Sequence, residues 1–339
     1  MNATPQPLVS IVTPLYNEVE HLAECIESVL AQTYQNWEYI IVDNKSTDGS
    51  LAVAQCYAAK DKRIRIHENQ EFLRAIPNHN ESLRQISRDS KYCKVVFADD
   101  WVFPRCLEEM VAVAEENSSV GIVSAYALEG DHIICAGLPY PSRFVSGREI
   151  CRAHLLKKLY VFGSANSLLY RADLVRKNDP FFNEANIHGD TEACFVLLKG
   201  CDFGFVHQVL TFTRVRTRSL TALSNDLETN LAGKLHILVT HGRDFLTPKE
   251  FDGQLKKHLS RYYRFLGKSW FLRRDERLWT YHKGQLMEMG VGFSWLAVLR
   301  GALSELVQAV FAPQKLITKF SSHRQPRSPE DTNEIVAAR

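Results

Sequence analysis

The first hundred residues alternate between two hydrophobic periods, and that alternation restricts the fold more than any other feature. Apolar runs at 8–13 and 37–42 are short, rich in β-branched and aromatic residues, and closed by turn formers, the pattern of strands buried on both faces. Between them Leu22, Ile26, Val29 and Leu30 recur at helical spacing until the polar segment 32–36 breaks it. The series continues with a helix at 50–59, a strand at 64–67, a helix around 80–87 and a strand centred on Val95, Val96 and Phe97. Strands alternating with helices of this length predict an α/β chain whose doubly wound, mostly parallel sheet is flanked by helices.

Each central run stops in polar or acidic residues. Lys94-Val95-Val96-Phe97-Ala98 ends in Asp99-Asp100-Trp101, and the second strand leads into Asp43-Asn44-Lys45-Ser46-Thr47-Asp48-Gly49. Ligands of open α/β sheets bind beyond the carboxyl ends of the strands, which places Asp99 and Asp100 at a crevice. Two adjacent carboxylates suit Mg²⁺ or Mn²⁺, with water and substrate phosphates completing the coordination. A surface turn, or the cap of a helix starting near Pro104, is the competing reading. A dinucleotide fold would carry Gly-x-Gly-x-x-Gly after its first strand; Thr13-Pro14-Leu15-Tyr16-Asn17-Glu18 stands there instead, which argues against a dehydrogenase-type domain.

With 339 residues, 45% of them hydrophobic, the chain can bury a large core in one domain or two. A formal charge of +2 without a long basic run gives no reason to expect a nucleic-acid partner. The eight cysteines are scattered, with no Cys-x-x-Cys pair, so they read as reduced, buried thiols of a reducing compartment. Residues 1–7 lack a basic and apolar leader pattern, and no run of about eighteen apolar residues occurs. The expectation is a cytoplasmic protein that does not span the membrane.

Three segments in order, Val9-Ser10-Ile11-Val12-Thr13-Pro14-Leu15-Tyr16-Asn17-Glu18, Ile41-Val42-Asp43-Asn44-Lys45-Ser46-Thr47-Asp48-Gly49 and Ala98-Asp99-Asp100-Trp101, resemble the successive signatures of family 2 glycosyltransferases. The resemblance covers about residues 8–220. It implies a GT-A-like fold, a nucleotide-sugar donor (a UDP-sugar foremost), Mn²⁺ or Mg²⁺, and inverting transfer of a hexosyl or N-acetylhexosaminyl group. The acceptor would be a hydroxyl of a glycan or glycolipid, in cell-surface or extracellular polysaccharide synthesis. Carried over position by position, Pro14, Tyr16 and Glu18 would line the nucleoside and diphosphate and Asp43 would hydrogen-bond the base. Asp100 would ligate the metal directly, with Asp99 beside it. Asn80 matches an asparagine in the helix before the metal strand. Asp190 matches the family's catalytic base, with His188 and Glu192 as weaker neighbours, and Arg214 or Arg216 would clamp the diphosphate.

The chain departs from the family pattern at three places. Phe97 stands where many members keep the first carboxylate of Asp-x-Asp-Asp, Gly189 replaces a glutamate before the base, and Arg216 falls where many carry histidine. Ordinary turn and cap chemistry would also account for Asp43, Asp48 and Asp190. A non-catalytic nucleotide-sugar-binding scaffold or sensor is therefore the alternative function.

Residues 1–225 are expected to form the catalytic domain, 226–320 a helical C-terminal extension, and 321–339 a disordered tail. From Arg243 to Arg324 there are fifteen Lys or Arg against seven Asp or Glu. Aromatics are interleaved with these cations at Tyr262, Tyr263, Phe265, Trp270 and Phe271, and Trp295, Leu299, Ala302, Leu303, Leu306, Val307 and Val310 form an apolar helical stripe. Peripheral contact of 255–320 with the inner face of a membrane is one reading; an intramolecular lid is the other.

Overall fold

The apolar runs of the sequence become strands that share one sheet. The computed structural model describes residues 6–216, 224, 226–272 and 275–311, and the chain divides into two units after Val215. The expected tail at 321–339 and the side chain of Val310 lie outside the described residues.

The first unit opens with β1 (Val9–Leu15), α1 (Leu22–Leu30), β2 (Trp37–Asp43), α2 (Ser50–Ala58), β3 (Ile64–Glu68), α3 (Ala75–Arg84) and β4 (Tyr92–Val95). Then come β5 (Trp101–Val102), α4 (Cys106–Glu116), β6 (Val120–Glu129), β7 (His132–Ile134), β8 (Phe144–Val145) and α5 (Gly147–Leu155). A 3-10 turn (Ala165–Ser167), β9 (Leu168–Arg171), α6 (Ala172–Lys177), α7 (Gly189–Leu197) and β10 (Asp202–Thr213) complete it. The strand order is β3-β2-β1-β4-β9-β6-β10-β5, with β7 on β6 and β8 on β10. β1 is buried along its whole length, as its uninterrupted apolar composition requires. Its Ile11, with Ile41, Val96 and Val123, joins Leu22, Ile26 and Val29 of α1 and Leu107 and Met110 of α4 in one core.

Three features differ from the sequence expectation. β9 runs antiparallel to both β4 and β6, so the sheet is two parallel sets joined through an inverted strand. β4 ends at Val95, because Phe97 already turns the chain: its carbonyl accepts from the Asp100 amide at 3.0 Å. β10, beyond the series read from the sequence, is one continuous strand from Asp202 to Thr213, with register shifts between Val206 and Val209 and between Val209 and Thr211. Pro14 is tolerated inside β1 because the β1–β4 pairing stops at Val12, leaving the proline beside one partner strand only.

The second unit is helical among its described residues: α8 (Thr229–Phe245), α9 (Pro248–Leu272), α10 (Glu276–Glu288) and α11 (Trp295–Phe311). Leu235, Tyr262, Leu266, Leu278, Leu286 and Val298 form its core. His282 is wholly buried there, with one ring nitrogen 2.6 Å from the Tyr262 hydroxyl and the other 2.7 Å from the Leu227 carbonyl. Burial lowers its pKa to about 4, so it is neutral at pH 7 and both contacts are satisfied by one tautomer. No described helix is long and apolar enough to cross a membrane.

Candidate functional site

Parallel pairing brings the first two acidic loops side by side. Leu15 lies opposite Asp43 in the β1–β2 register, and Val12 lies opposite Val95 on the other flank of β1. The exits of β1, β2 and β4 therefore open along one edge of the sheet, the edge where open α/β sheets bind ligands.

The loops after β1 and β2 are stitched together by side chains that bond backbone. Ser46 Oγ accepts from the Asn17 amide at 3.1 Å, Asn17 Oδ1 from the Thr47 amide at 2.8 Å, and Ser50 Oγ from the Glu18 amide at 2.8 Å. Asp48 accepts from the Val19 and Ser50 amides, both at 2.9 Å. Burial alone would raise the Asp48 carboxyl, but the Ser50 hydroxyl and these amides outweigh it and hold the group below its ordinary value. Asp48 is thus a loop clamp, as its turn composition allowed. Gly49, with φ of 98°, occupies the left-handed conformation that starts α2.

Asp43 is 2% exposed and has a divided carboxylate. Oδ2 accepts from the Ser46 amide at 3.2 Å, whereas Oδ1 is buried with no hydrogen-bond partner. A buried acceptor left open costs about 1–3 kcal/mol unless a ligand fills it. Beside it stands an aromatic pair that sequence reading recognised only in part. The rings of Tyr16 and Phe72 lie 4.9 Å apart at 59°, each side chain 42% exposed. Phe72 is presented by a loop pinned to buried Asn44, whose amide donates to the Leu73 carbonyl at 2.7 Å and whose Oδ1 accepts from the Leu73 and Asn69 nitrogens, both at 2.9 Å. Pro14 is buried in β1, and Glu18 is partly buried on the adjoining turn.

The acidic pair follows β4. Asp100 is 3% exposed and Asp99 partly so. Burial, reinforced by the charge of Asp99, pushes the Asp100 carboxyl well above the usual carboxylate range. The end of β10 wraps this turn: the Arg214 amide donates to Asp100 Oδ1 at 2.9 Å and its Nε to the Asp99 carbonyl at 3.1 Å. The guanidinium also donates to Glu24 at 2.6 Å and lies 5.3 Å from the Trp101 ring, itself stacked 3.5 Å over Phe212. Phe97 packs on His79, centroids 5.0 Å apart, and burial lowers the His79 imidazole to about 4. An apolar contact thus fills the place of the missing carboxylate. Among the described residues no three acidic, histidine or cysteine side chains converge.

Lys94 carries no functional signal in sequence, yet it is wholly buried beneath this turn. Its ammonium donates to the carbonyls of Asn166 and Leu168, the latter at 3.3 Å, and burial lowers its pKa. Asn166 in turn donates to the Phe212 carbonyl at 3.1 Å. The buried ammonium thereby ties the turn before β9 to the last residues of β10, next to Arg214.

Asp190 stands in the first turn of α7. That helix leads through a short turn into β10. The approach to α7 is held by two buried side chains. Asn80 donates to the Phe182 carbonyl at 2.9 Å and Glu184 at 3.0 Å, and accepts from the Phe182 amide at 2.8 Å. Glu192 accepts from Asn183 at 3.0 Å and Asn186 at 2.8 Å. Both residues position the loop. A Cβ on Gly189 would meet the Asn183 carbonyl oxygen at 3.2 Å, a crowded site for the glutamate of the family pattern. Asp190 accepts from the Thr191 amide at 2.7 Å. Burial nonetheless pushes its carboxyl up to about 6, where it can hold or release a proton near neutrality.

Residues 10–172 match the family model described as glycosyl transferase family 2. A protein of Bacillus subtilis (strain 168) provisionally named glycosyltransferase EpsE is 34% identical over 165 residues, 47% of this chain and 58% of its own. Glycosyltransferase GlyG of Streptococcus pneumoniae serotype 4 is 32% identical over 121 residues, 35% of this chain and 39% of its own. The chain thus spans less than two thirds of the length of these relatives. Among solved structures, S. aureus TarS 1-349 in complex with UDP-GlcNAc superposes with a TM-score of 0.60 at 16% identity, over 84% of this chain and 80% of that one. Mannosyltransferase PcManGT from Pyrobaculum calidifontis, in complex with GDP-Man and Mn²⁺, gives 0.51 at 17% identity, over 94% and 85%. At these identities the structural likeness speaks for a GT-A-like fold alone.

Proposed function

We propose, from the premise that residues 10–172 belong to glycosyl transferase family 2, that this protein transfers a sugar from a nucleoside diphosphate to an acceptor hydroxyl with inversion. The observation that carries this reading is the open, buried Oδ1 of Asp43 on the same sheet edge as the Asp99 and Asp100 turn. With Oδ2 already engaged by Ser46, the carboxylate can accept one N–H from a base edge. Uracil offers one such ring N–H and guanine offers two adjacent donors, so the donor is a UDP-sugar, its base against the exposed Tyr16 and Phe72 rings.

Asp99 and Asp100 supply hard oxygen donors, and the buried Asp100 carboxyl gains from a neighbouring cation; the pair fits Mg²⁺ or Mn²⁺. When bound, such an ion offsets the charge of the diphosphate. Arg214, anchored on the same turn, faces the leaving phosphates with its guanidinium. Asp190 takes the proton of the acceptor hydroxyl as its oxygen bonds to the anomeric carbon and the bond to the diphosphate oxygen breaks. The acceptor is a glycan or glycolipid, in keeping with polysaccharide synthesis. Relatives fit that setting; one B. subtilis (strain 168) relative, TuaG, carries a provisional teichuronic acid biosynthesis name.

Thermal shift with UDP, GDP and no nucleotide, each with and without Mn²⁺, tests the donor site, since a ligand of the native state raises the melting temperature. UDP with Mn²⁺ should give the largest rise, and Asp100→Ala should abolish both that rise and sugar transfer. A larger rise with GDP would refute the base assignment. The departures at Phe97 and Gly189 favour one other reading, a nucleotide-sugar sensor; UDP binding without transfer or donor hydrolysis across a panel of sugars would establish it instead.

A further inference from the structure

The second unit carries its exposed apolar surface largely on one helix. Trp295, Leu296, Leu299, Leu303, Leu306 and Val307 of α11 are 42–62% exposed. At about 100° per residue they fall within roughly a third of the helix circumference, along an element about 25 Å long. The other side of α11 is locked. Val298 and Ala302 are buried, and Arg264 of α9 donates to Glu305 at 3.0 and 2.9 Å. A Cβ on Gly301 would meet the Tyr263 carbonyl oxygen at 2.2 Å, and one on Gly267 the Ala302 nitrogen at 2.3 Å. The two helices thus cross backbone to backbone, and α11 cannot roll to bury its stripe without breaking that crossing.

The charged side chains seen beside the stripe among the described residues are cations. Arg300 is exposed at its margin, and the Lys283 ammonium stands 5.1 Å from the Trp295 ring at its start. Glu305, the single acid of α11, lies on the locked side and is paired with Arg264. From Lys256 to Arg327 the sequence holds fourteen Lys or Arg against four Asp or Glu. An apolar face rimmed by cations is complementary to an anionic lipid surface. A tryptophan at its end, apolar in ring and polar at Nε1, suits the level of the headgroups. Pairing the stripe with a second copy would instead set like charges face to face across a two-fold axis.

We propose that α11 lies flat in an anionic membrane surface, its leucine stripe at the headgroup–acyl boundary and Arg300 and Lys283 against lipid phosphates. The contact is peripheral and stands independently of the reaction at the first unit. The test is flotation of the full chain with vesicles of phosphatidylcholine alone or with roughly 30% phosphatidylglycerol, at about 0.1 M and about 0.5 M salt. The protein should float with the anionic vesicles at low salt and bind about tenfold less to neutral ones. A Leu299→Gln, Leu303→Gln, Leu306→Gln variant, altered only at exposed positions, should lose flotation with an unchanged melting temperature. Lys283→Glu with Arg300→Glu reads the charge contribution separately and should remove the preference for anionic lipid. No flotation of the unaltered chain at low salt would overturn the proposal. So would equal flotation of the charge variant, or a stripe variant that floats normally but turns a solution dimer into a monomer.

Discussion

Asp190→Asn separates a catalytic base from a helix cap, because the two roles predict opposite changes in stability. The carboxyl rises from an ordinary 3.8 to about 6, burial being the cause, against hydrogen bonds from the Thr191 and Asp190 amides that act the other way. At about 1.4 kcal/mol for each tenfold change, the ionised native state is penalised by about 3 kcal/mol; residual solvent contact of this partly exposed residue reduces that to about 2. The native state holds this proton more tightly than the unfolded chain. Stability is therefore lost as pH rises from 3.8 to about 6, and the full penalty applies above that. Asp190→Asn should stabilise the first unit by about 2 kcal/mol at pH 7.5, with the gain closing below about pH 4. Urea dependence of hydrogen exchange in β1 and β4 reads this unit without the helical one. Transfer should be abolished in the variant. In the unaltered protein kcat/KM should fall about tenfold between pH 7.5 and pH 5, since about one tenth of a base titrating near 6 is ionised at pH 5. A variant destabilised by about 1 kcal/mol, with an acid limb near pH 4, would refute the argument and leave Asp190 as a cap of α7.

Two further outcomes follow from the loops around the site. Asn80→Ala strips three hydrogen bonds from the buried Phe182 peptide and Glu184, and should cost about 3 kcal/mol in urea unfolding while lowering kcat through a displaced α7 approach; stability within about 0.5 kcal/mol of the parent would show the clamp to be idle. Phe72→Ala removes half of the aromatic pair and should raise the donor KM about tenfold with kcat nearly unchanged, the scale of a lost base–aromatic stack. An unchanged donor KM would place the base elsewhere.

Much of the frame is written in local pattern. The runs that became β1, β2 and β3 and the acidic exits after β2 and β4 are legible because side-chain period and turn chemistry act within a few residues. The role of Asp48 was open in sequence, where clamp and ligand use the same residue type; it became a clamp once its amide partners were in place. Strand direction is different. The segment of β9 reads equally well either way along the chain, and only pairing with β4 and β6 inverts it, a choice made by partners 44 to 79 residues away.

Residue order alone supplies the chemical groups: Asp43, Asp99 and Asp100 at strand exits, Asp190 in a further acidic segment, and Arg214 far down the chain. Tertiary structure alone decided their state. Packing left Asp43 with one oxygen open, raised the Asp100 and Asp190 carboxyls, brought Arg214 onto the acidic turn, put Phe72 opposite Tyr16 and sealed Lys94 beneath. Each of these depends on what has been excluded from water and what has been brought within about 3 Å. Both are properties of contacts between distant segments, which no local pattern contains.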